Sequence, residues 1–122
     1  MTPIKRVHQA IEEIKKGNMV IMIDDEDREN EGDLVYAASF SSPQHVNFMA
    51  MHARGLICVA LSKKIATKLD LNPMVSSNTS SYETAFTVSV DAKDALTGIS
   101  ASERNDTIRI LANPISKAVE LV

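Results

Sequence analysis

The sequence has few of the residues that mark secreted, membrane-spanning or nucleic-acid-binding proteins. Its 122 residues include one cysteine and no tryptophan, and aromatic side chains make up only 4%. A single cysteine cannot form an internal disulfide, which favours a reducing compartment, and we expect the cytoplasm. The longest apolar runs, Met19–Ile23 and Leu56–Leu61, are far shorter than the roughly 20 residues of a membrane helix, so no membrane association is expected.

The composition is otherwise that of a globular protein, but the charges are unevenly distributed. Hydrophobic residues make up 44% and charged residues 24%, which predicts one folded domain over residues 1–122. Seven of the sixteen acidic residues lie in Asp24–Asp33 with only one basic residue, Arg28, and the rest of the chain carries a net charge of +3. Because the basic residues are scattered and aromatic residues are few, nucleic-acid binding is not expected.

Helix and strand patterns alternate along the chain. Apolar residues at spacings of three and four predict an amphipathic helix over residues 4–16. Three more helices are predicted after Ser42-Pro43, after Ser62, and after a capping box of Ser100 and Glu103. Strands are predicted at Met19–Ile23, Leu34–Ala38, Leu56–Leu61 and Thr84–Val90, the first and third of them buried. The alternation predicts an α/β sandwich with a mixed sheet.

The acidic window has the composition of a cation site. In an extended segment, alternate side chains project to one side, and here these are Asp25, Asp27, Glu29, Glu31 and Asp33. Crowded carboxylates raise one another's pKa or require a cation. Hard oxygen ligands suit Mg²⁺ or Mn²⁺, held by one or two carboxylates while water and substrate oxygens complete the shell.

A calcium-binding EF-hand loop and a solvated acidic turn are two other interpretations of the acidic window. An EF-hand counted from Asp27 has Gly32 at position six, but Ala38 occupies position twelve, where a glutamate is required. A calcium loop is therefore excluded. A solvated acidic turn between two strands remains open, although Arg28 within the run could bind a phosphate or orient a carboxylate.

The run Asp-Asp-Glu-Asp-Arg-Glu-Asn-Glu-Gly-Asp at residues 24–33 resembles the signature of the 3,4-dihydroxy-2-butanone 4-phosphate synthase family of riboflavin biosynthesis. Three further blocks resemble the family in its own order, namely His52–Cys58, Thr84–Asp91 and Thr97–Ala101. The resemblance covers essentially the whole chain. It implies a three-layer α/β sandwich with a mixed sheet, and a homodimeric, Mg²⁺- or Mn²⁺-dependent lyase acting on a sugar phosphate, D-ribulose 5-phosphate.

The resemblance also implies roles for seven residues. The catalytic candidates are Asp24, Glu31 and Cys58, and the substrate-binding candidates are Arg28, Glu29, Asp33 and Thr97. Glu29 is also the implied metal ligand. For Cys58 a buried core position is an open alternative. Thr97 precedes the helix capped by Ser100, whose free amides could hold an anion.

Members of the family are longer than this sequence. They continue past the equivalent of Leu121-Val122 into Arg-Pro-Gly-His and Gly-His-Thr-Glu segments, and the second metal ligand is the histidine of the latter. The sequence therefore resembles a C-terminally truncated family domain. Two functions stay open: a lyase that forms 3,4-dihydroxy-2-butanone 4-phosphate and formate, or a catalytically incompetent remnant that binds a cation or a partner chain.

Overall fold

The structure is a computed structural model that describes residues 1–122. Its helices are α1 (Pro3–Lys15), α2 (Pro43–His52), α3 (Lys63–Lys68) and α4 (Ala101–Ala112), and its strands are β1 (Val20–Ile23) and β2 (Gly32–Val35). Two short 3-10 helices lie at Ala38–Phe40 and Ala118–Glu120. The chain is thus an α/β unit, as predicted. No helix combines the length and the apolar character needed to cross a membrane.

All four α-helices have a serine or threonine at the N-cap. Its side-chain hydroxyl accepts a hydrogen bond from a backbone N–H that has no partner in the first turn. The predicted caps Ser42, Ser62 and Ser100 are confirmed, and Thr2 caps α1 in the same way. The capping box at α4 forms only in part. The Ser100 hydroxyl accepts from the Glu103 N–H at 3.1 Å, but the Glu103 carboxylate accepts from the Leu96 N–H instead of returning to Ser100.

The sheet consists of β1 and β2, which pair antiparallel with Val20 opposite Val35 and Ile23 opposite Gly32. The acidic window connects the two strands. The second strand begins and ends earlier than predicted, since the chain enters the 3-10 helix at Ala38. The hairpin therefore presents the acidic residues at one end of the sheet.

The strands predicted at Leu56–Leu61 and Thr84–Val90 do not form ladders. These segments are irregular, and the only pairing of either is an isolated bridge between Thr87 and Pro73. A strand needs a neighbouring strand for its backbone hydrogen bonds, and an apolar pattern reports only which side chains prefer burial. The only sheet within these residues is the antiparallel β1–β2 pair, which is one part of the predicted mixed sheet.

The core is small and lies away from the hairpin. Leu69, Leu71 and Leu111 form its buried centre, and the partly buried side chains packed against it are Val59, Leu61, Ala66, Val90 and Leu121. Both irregular segments therefore contribute apolar side chains to the core although they form no strand. A second contact joins α2 to α4, where Val46 and Ile108 are buried.

The apolar stripe of α1 and the strand β1 are exposed, in contrast to the buried strand predicted at Met19–Ile23. Ile4 is 71% exposed, and Ile21 and Ile23 are 69% and 67% exposed. Only 11 of the 122 residues are buried. The amphipathic pattern of α1 is confirmed as a helix, but no other segment of this chain covers its apolar face.

Gly98 lies where the backbone and its neighbours accept only glycine. Its φ of +72° is left-handed, and a Cβ there would clash with the carboxylate oxygens of Asp91. Gly98→Ala should lower the free energy of unfolding by at least about 1–2 kcal/mol, the cost of the left-handed backbone alone. Urea denaturation measures this. Gly55→Ala is the control, since its Cβ would meet no atom within 4 Å, and an equal loss in both variants would contradict the prediction.

Candidate active site in the acidic turn

The residues between β1 and β2, Asp24–Glu31, are called the acidic turn below. They are not extended: the Arg28 N–H donates to the Asp25 carbonyl at 3.0 Å, and the Asp27 N–H donates to Asp25 Oδ1 at 2.8 Å. Asn30 then adopts a left-handed φ of +50°, which redirects the chain into β2. The predicted alternation of carboxylates along one side is therefore wrong, because turn hydrogen bonds replace the extended backbone.

The Asp24 carboxylate organises the acidic turn. Its Oδ2 accepts from Arg28 Nη1 and from the Glu29 N–H, both at 3.0 Å, and its Oδ1 accepts from the Glu31 N–H at 2.9 Å. The backbone hydrogen bond from Glu31, together with the backbone hydrogen bond from Glu29 and the side-chain hydrogen bond from Arg28, lowers the pKa of Asp24. Asp24 is therefore ionised at neutral pH, so it can accept a proton but has none to donate.

Arg28 lies at the centre of the charges. Its Nη1 is 3.1 Å from Glu29 Oε1 as well as 3.0 Å from Asp24 Oδ2. The hydrogen bond to Asp24, followed by the charge of Glu29, raises the pKa of Arg28. Three of the predicted site residues, Asp24, Arg28 and Glu29, thus form one ion-pair network, and Glu31 joins it through its backbone.

Two residues that the sequence did not single out complete this arrangement. The Tyr82 hydroxyl donates to the Arg28 carbonyl at 2.9 Å, and the Arg28 guanidinium lies over the Tyr82 ring at 5.4 Å from its centroid. Arg28 Nη2 also donates to Thr84 Oγ1 at 3.4 Å. The only sequence signal for them was their place in or beside the block that starts at Thr84.

Asp33 and Cys58 make no hydrogen bond or ion pair with this network. The Cys58 thiol is exposed, so the alternative of a buried core position is wrong. Partial desolvation, followed by the negative charge of Asp33, raises the pKa of Cys58. A raised pKa leaves Cys58 as a thiol at neutral pH, whereas a nucleophilic cysteine needs a thiolate.

Thr97 lies apart from these groups. It is exposed on the segment before α4, and no hydrogen bond joins it to the acidic turn. Its neighbour Gly98 instead approaches the Asp91 carboxylate. The structure therefore brings Asp24, Arg28, Glu29 and Glu31 together and leaves Asp33, Cys58 and Thr97 outside that network.

The acidic turn can offer a divalent cation one or two carboxylates but no complete set of protein ligands. No three side chains of His, Cys, Asp or Glu converge, so the chain does not build a cage of protein ligands. Mg²⁺, however, is commonly held by one or two carboxylates with water and substrate oxygens. Asp24 accepts three hydrogen bonds and Glu29 pairs with Arg28, so a cation at either carboxylate would have to displace these donors.

The effect of the Asp33 charge on the pKa of Cys58 can be tested by thiol reactivity. Asp33→Asn removes one of the two causes that raise the pKa of Cys58, so the thiolate fraction at pH 8 should rise. We expect the thiol to react about two- to fourfold faster with an aromatic disulfide reagent. Glu12→Gln on α1 is the matched control and should leave the rate unchanged. Equal reaction rates for Asp33→Asn and the unmodified chain would show that the Asp33 charge does not raise the pKa of Cys58.

Comparison with known proteins agrees with the motifs. The sequence model of 3,4-dihydroxy-2-butanone 4-phosphate synthase matches residues 8–122. The synthase of Sulfurospirillum multivorans is 71% identical over 119 residues, and the riboflavin biosynthesis protein RibBA of Bacillus subtilis is 53% identical over 113 residues. These matches cover 98% and 93% of this chain but 33% and 28% of the relatives.

Solved structures agree as well. A 3,4-dihydroxy-2-butanone 4-phosphate synthase in complex with two magnesium ions is 40% identical, with a TM-score of 0.92 over 95% of this chain and 55% of that one. A two-domain synthase from A. baumannii is 44% identical, with a TM-score of 0.89 over 95% of this chain and 34% of that one. The chain spans about one third of the length of the curated relatives, and it belongs to the 3,4-dihydroxy-2-butanone 4-phosphate synthase family.

Proposed function

We propose that this chain carries the acidic part of the active site of a lyase that converts D-ribulose 5-phosphate to 3,4-dihydroxy-2-butanone 4-phosphate and formate. The observation that carries the proposal is the Arg28–Glu29 pair, which the Asp24 carboxylate holds within the family's acidic run. A relative that is 40% identical forms a complex with two magnesium ions, which supports the use of a divalent metal.

The reaction needs a proton removed beside a carbonyl, loss of water, a shift of the carbon skeleton and release of one carbon. Negative charge develops on neighbouring sugar oxygens during these steps. A divalent cation, Mg²⁺ or Mn²⁺, bound to those oxygens would stabilise that charge. The protein's own residues must hold the sugar phosphate, place its oxygens and move the protons.

We infer these tasks from the contacts in the acidic turn. Glu29 would bind the cation through its carboxylate, and Arg28 would offer its guanidinium to a substrate oxygen or phosphate. Their mutual ion pair at 3.1 Å keeps both side chains at the same place until a ligand exchanges with it. Asp24 would be an acid/base group of the site, and Glu31, whose N–H binds the Asp24 carboxylate, would serve beside it.

The other site residues lie outside the ion-pair network. Asp33 would contact the substrate from β2, and the raised pKa of Cys58 favours a neutral role for its thiol. Thr97 would contact the substrate of a neighbouring subunit, since it lies apart from the acidic turn. The many exposed apolar side chains support a homodimer, and the single free cysteine supports a cytoplasmic location.

The second candidate is a catalytically incompetent fragment that binds a cation or a partner chain. Two observations favour it: no three metal-ligating side chains converge, and the apolar stripe of α1 is exposed. In this case the acidic turn would bind a cation weakly and the exposed helix face would bind protein. The two candidates differ in whether product forms.

The metal ligand can be tested by substitution within the acidic turn. Glu29→Gln should abolish Mg²⁺ binding detectable by calorimetry, because the amide keeps the shape but loses the charge. Glu26→Gln removes an equal charge from the same turn at an exposed side chain with no hydrogen bond, and should barely change the affinity. If both variants behave alike, the acidic run is only a solvated turn and the metal-site proposal fails.

Turnover by the 122-residue polypeptide separates the two candidates. We expect little or no formate from D-ribulose 5-phosphate and Mg²⁺, since these residues do not include the family's histidine ligand and loss of metal-site partners commonly costs about 10–100-fold. The assay is formate release over time, with a full-length relative as the positive control. Formate release as fast as that of the relative would show that the histidine is replaceable.

A further inference from the structure

We infer that Tyr82 is a positioning residue that fixes the peptide plane between Arg28 and Glu29. The inference rests on the proposed function in one respect, namely that these two residues bind substrate and metal. Tyr82 lies 54 residues from Arg28 in sequence, outside the acidic run, yet its hydroxyl reaches the backbone of that run. No chemical role is assigned to the Tyr82 hydroxyl itself.

The peptide plane between Arg28 and Glu29 is held at both ends. Its carbonyl oxygen, on Arg28, accepts from the Tyr82 hydroxyl at 2.9 Å. Its N–H, on Glu29, donates to Asp24 Oδ2 at 3.0 Å. A rotation of this plane changes ψ of Arg28 and φ of Glu29 in opposite senses, and it would break the Glu29 N–H hydrogen bond to Asp24 that shapes the acidic turn. The two hydrogen bonds oppose that rotation from opposite edges.

The side chain of Arg28 is held by the same neighbours. Its guanidinium lies over the Tyr82 ring, 5.4 Å from the centroid, and donates to Thr84 Oγ1 at 3.4 Å. The ring contact depends on the aromatic face and not on the hydroxyl. Removing the hydroxyl alone therefore frees the backbone while leaving the guanidinium contact in place, which makes the two effects separable.

Tyr82 is itself presented by an ordered loop. The Asn78 side chain accepts from the Ser80 N–H and hydroxyl at 3.0 and 2.9 Å and donates to the Thr84 carbonyl at 3.0 Å. The Glu83 N–H closes a turn on the Ser80 carbonyl at 3.2 Å. Asn78 thus ties together the two sides of the segment that carries Tyr82.

Backbone strain flanks the contact on both sides. Only four non-glycine residues have a positive φ, and two of them are Asn30 at +50° in the acidic turn and Glu83 at +53° beside Tyr82. Such conformations persist where surrounding contacts hold them, and they cluster at functional sites. Glu83 lies between Tyr82 and Thr84, the two residues that contact the same guanidinium.

The test uses Tyr82→Phe, which removes the hydroxyl and keeps the ring. The chain has one other tyrosine, Tyr36, whose hydroxyl bonds the Ser41 hydroxyl at 2.8 Å away from the acidic turn, so Tyr36→Phe is a matched control. Amide hydrogen exchange by NMR should be about fivefold faster at Glu29 in Tyr82→Phe, as expected for the loss of about one hydrogen bond. The Tyr36→Phe variant should leave it unchanged.

A second measurement tests whether the Tyr82 hydroxyl affects Mg²⁺ binding at the acidic turn. Calorimetric titration with Mg²⁺ alone should show about tenfold weaker binding by Tyr82→Phe and unchanged binding by Tyr36→Phe, with the same thermal unfolding midpoint in both. A Glu29 amide that exchanges equally fast with and without the Tyr82 hydroxyl would overturn the inference. Faster exchange without weaker Mg²⁺ binding would overturn its link to the metal.

The two proposals fail in different ways. If the unmodified chain does not bind Mg²⁺, the proposed metal site fails, but amide exchange at Glu29 still decides the role of Tyr82. If Tyr82→Phe lowers the unfolding midpoint as well, Thr84→Val provides a further variant, since it removes only the Thr84 hydroxyl from the guanidinium. It should leave Glu29 exchange unchanged, and faster exchange there would contradict the assignment to Tyr82.

Discussion

Three hydrogen bonds to a single carboxylate hold the acidic turn in one shape. Asp24 stands at the end of β1, and its two oxygens bind two backbone N–H groups and one guanidinium, all from residues within the next seven positions. Without this anchor, the like charges of the turn would repel one another and the turn would open. The placement of Arg28 and Glu29 depends on Asp24, although neither residue is adjacent to it.

The anchor is local, whereas the second support comes from a distant part of the chain. Asp24 closes the turn from within the hairpin, and the segment around Tyr82 holds it from outside. A hairpin of two short strands has little stability by itself, so a contact to another segment limits its motion. The core around Leu69 and Leu111 lies elsewhere, and the loop built on Asn78 links the turn to the rest of the chain.

Features determined by neighbouring residues were predictable from the sequence. Ser42, Ser62 and Ser100 cap helices as expected, since a cap needs only a hydroxyl and the next three N–H groups. The acidic motif and its family were also identified. The lack of a partner strand for Leu56–Leu61, the exposure of Cys58 and the contact from Tyr82 were not predictable, because each depends on which distant segment lies alongside. The extended acidic window failed for another reason: aspartates bind nearby N–H groups and favour turns.

The exposed strand β1 gives the acidic turn a further consequence. Val20–Ile23 is a short run of apolar, mostly β-branched residues, and in a two-stranded sheet every strand is an edge that can pair with another molecule. Two copies that paired in parallel along this edge would bring their acidic turns together, and the repulsion of like charges disfavours that pairing. Any cation that neutralises the turn weakens this repulsion. Solubility and cation occupancy are therefore opposed in this chain.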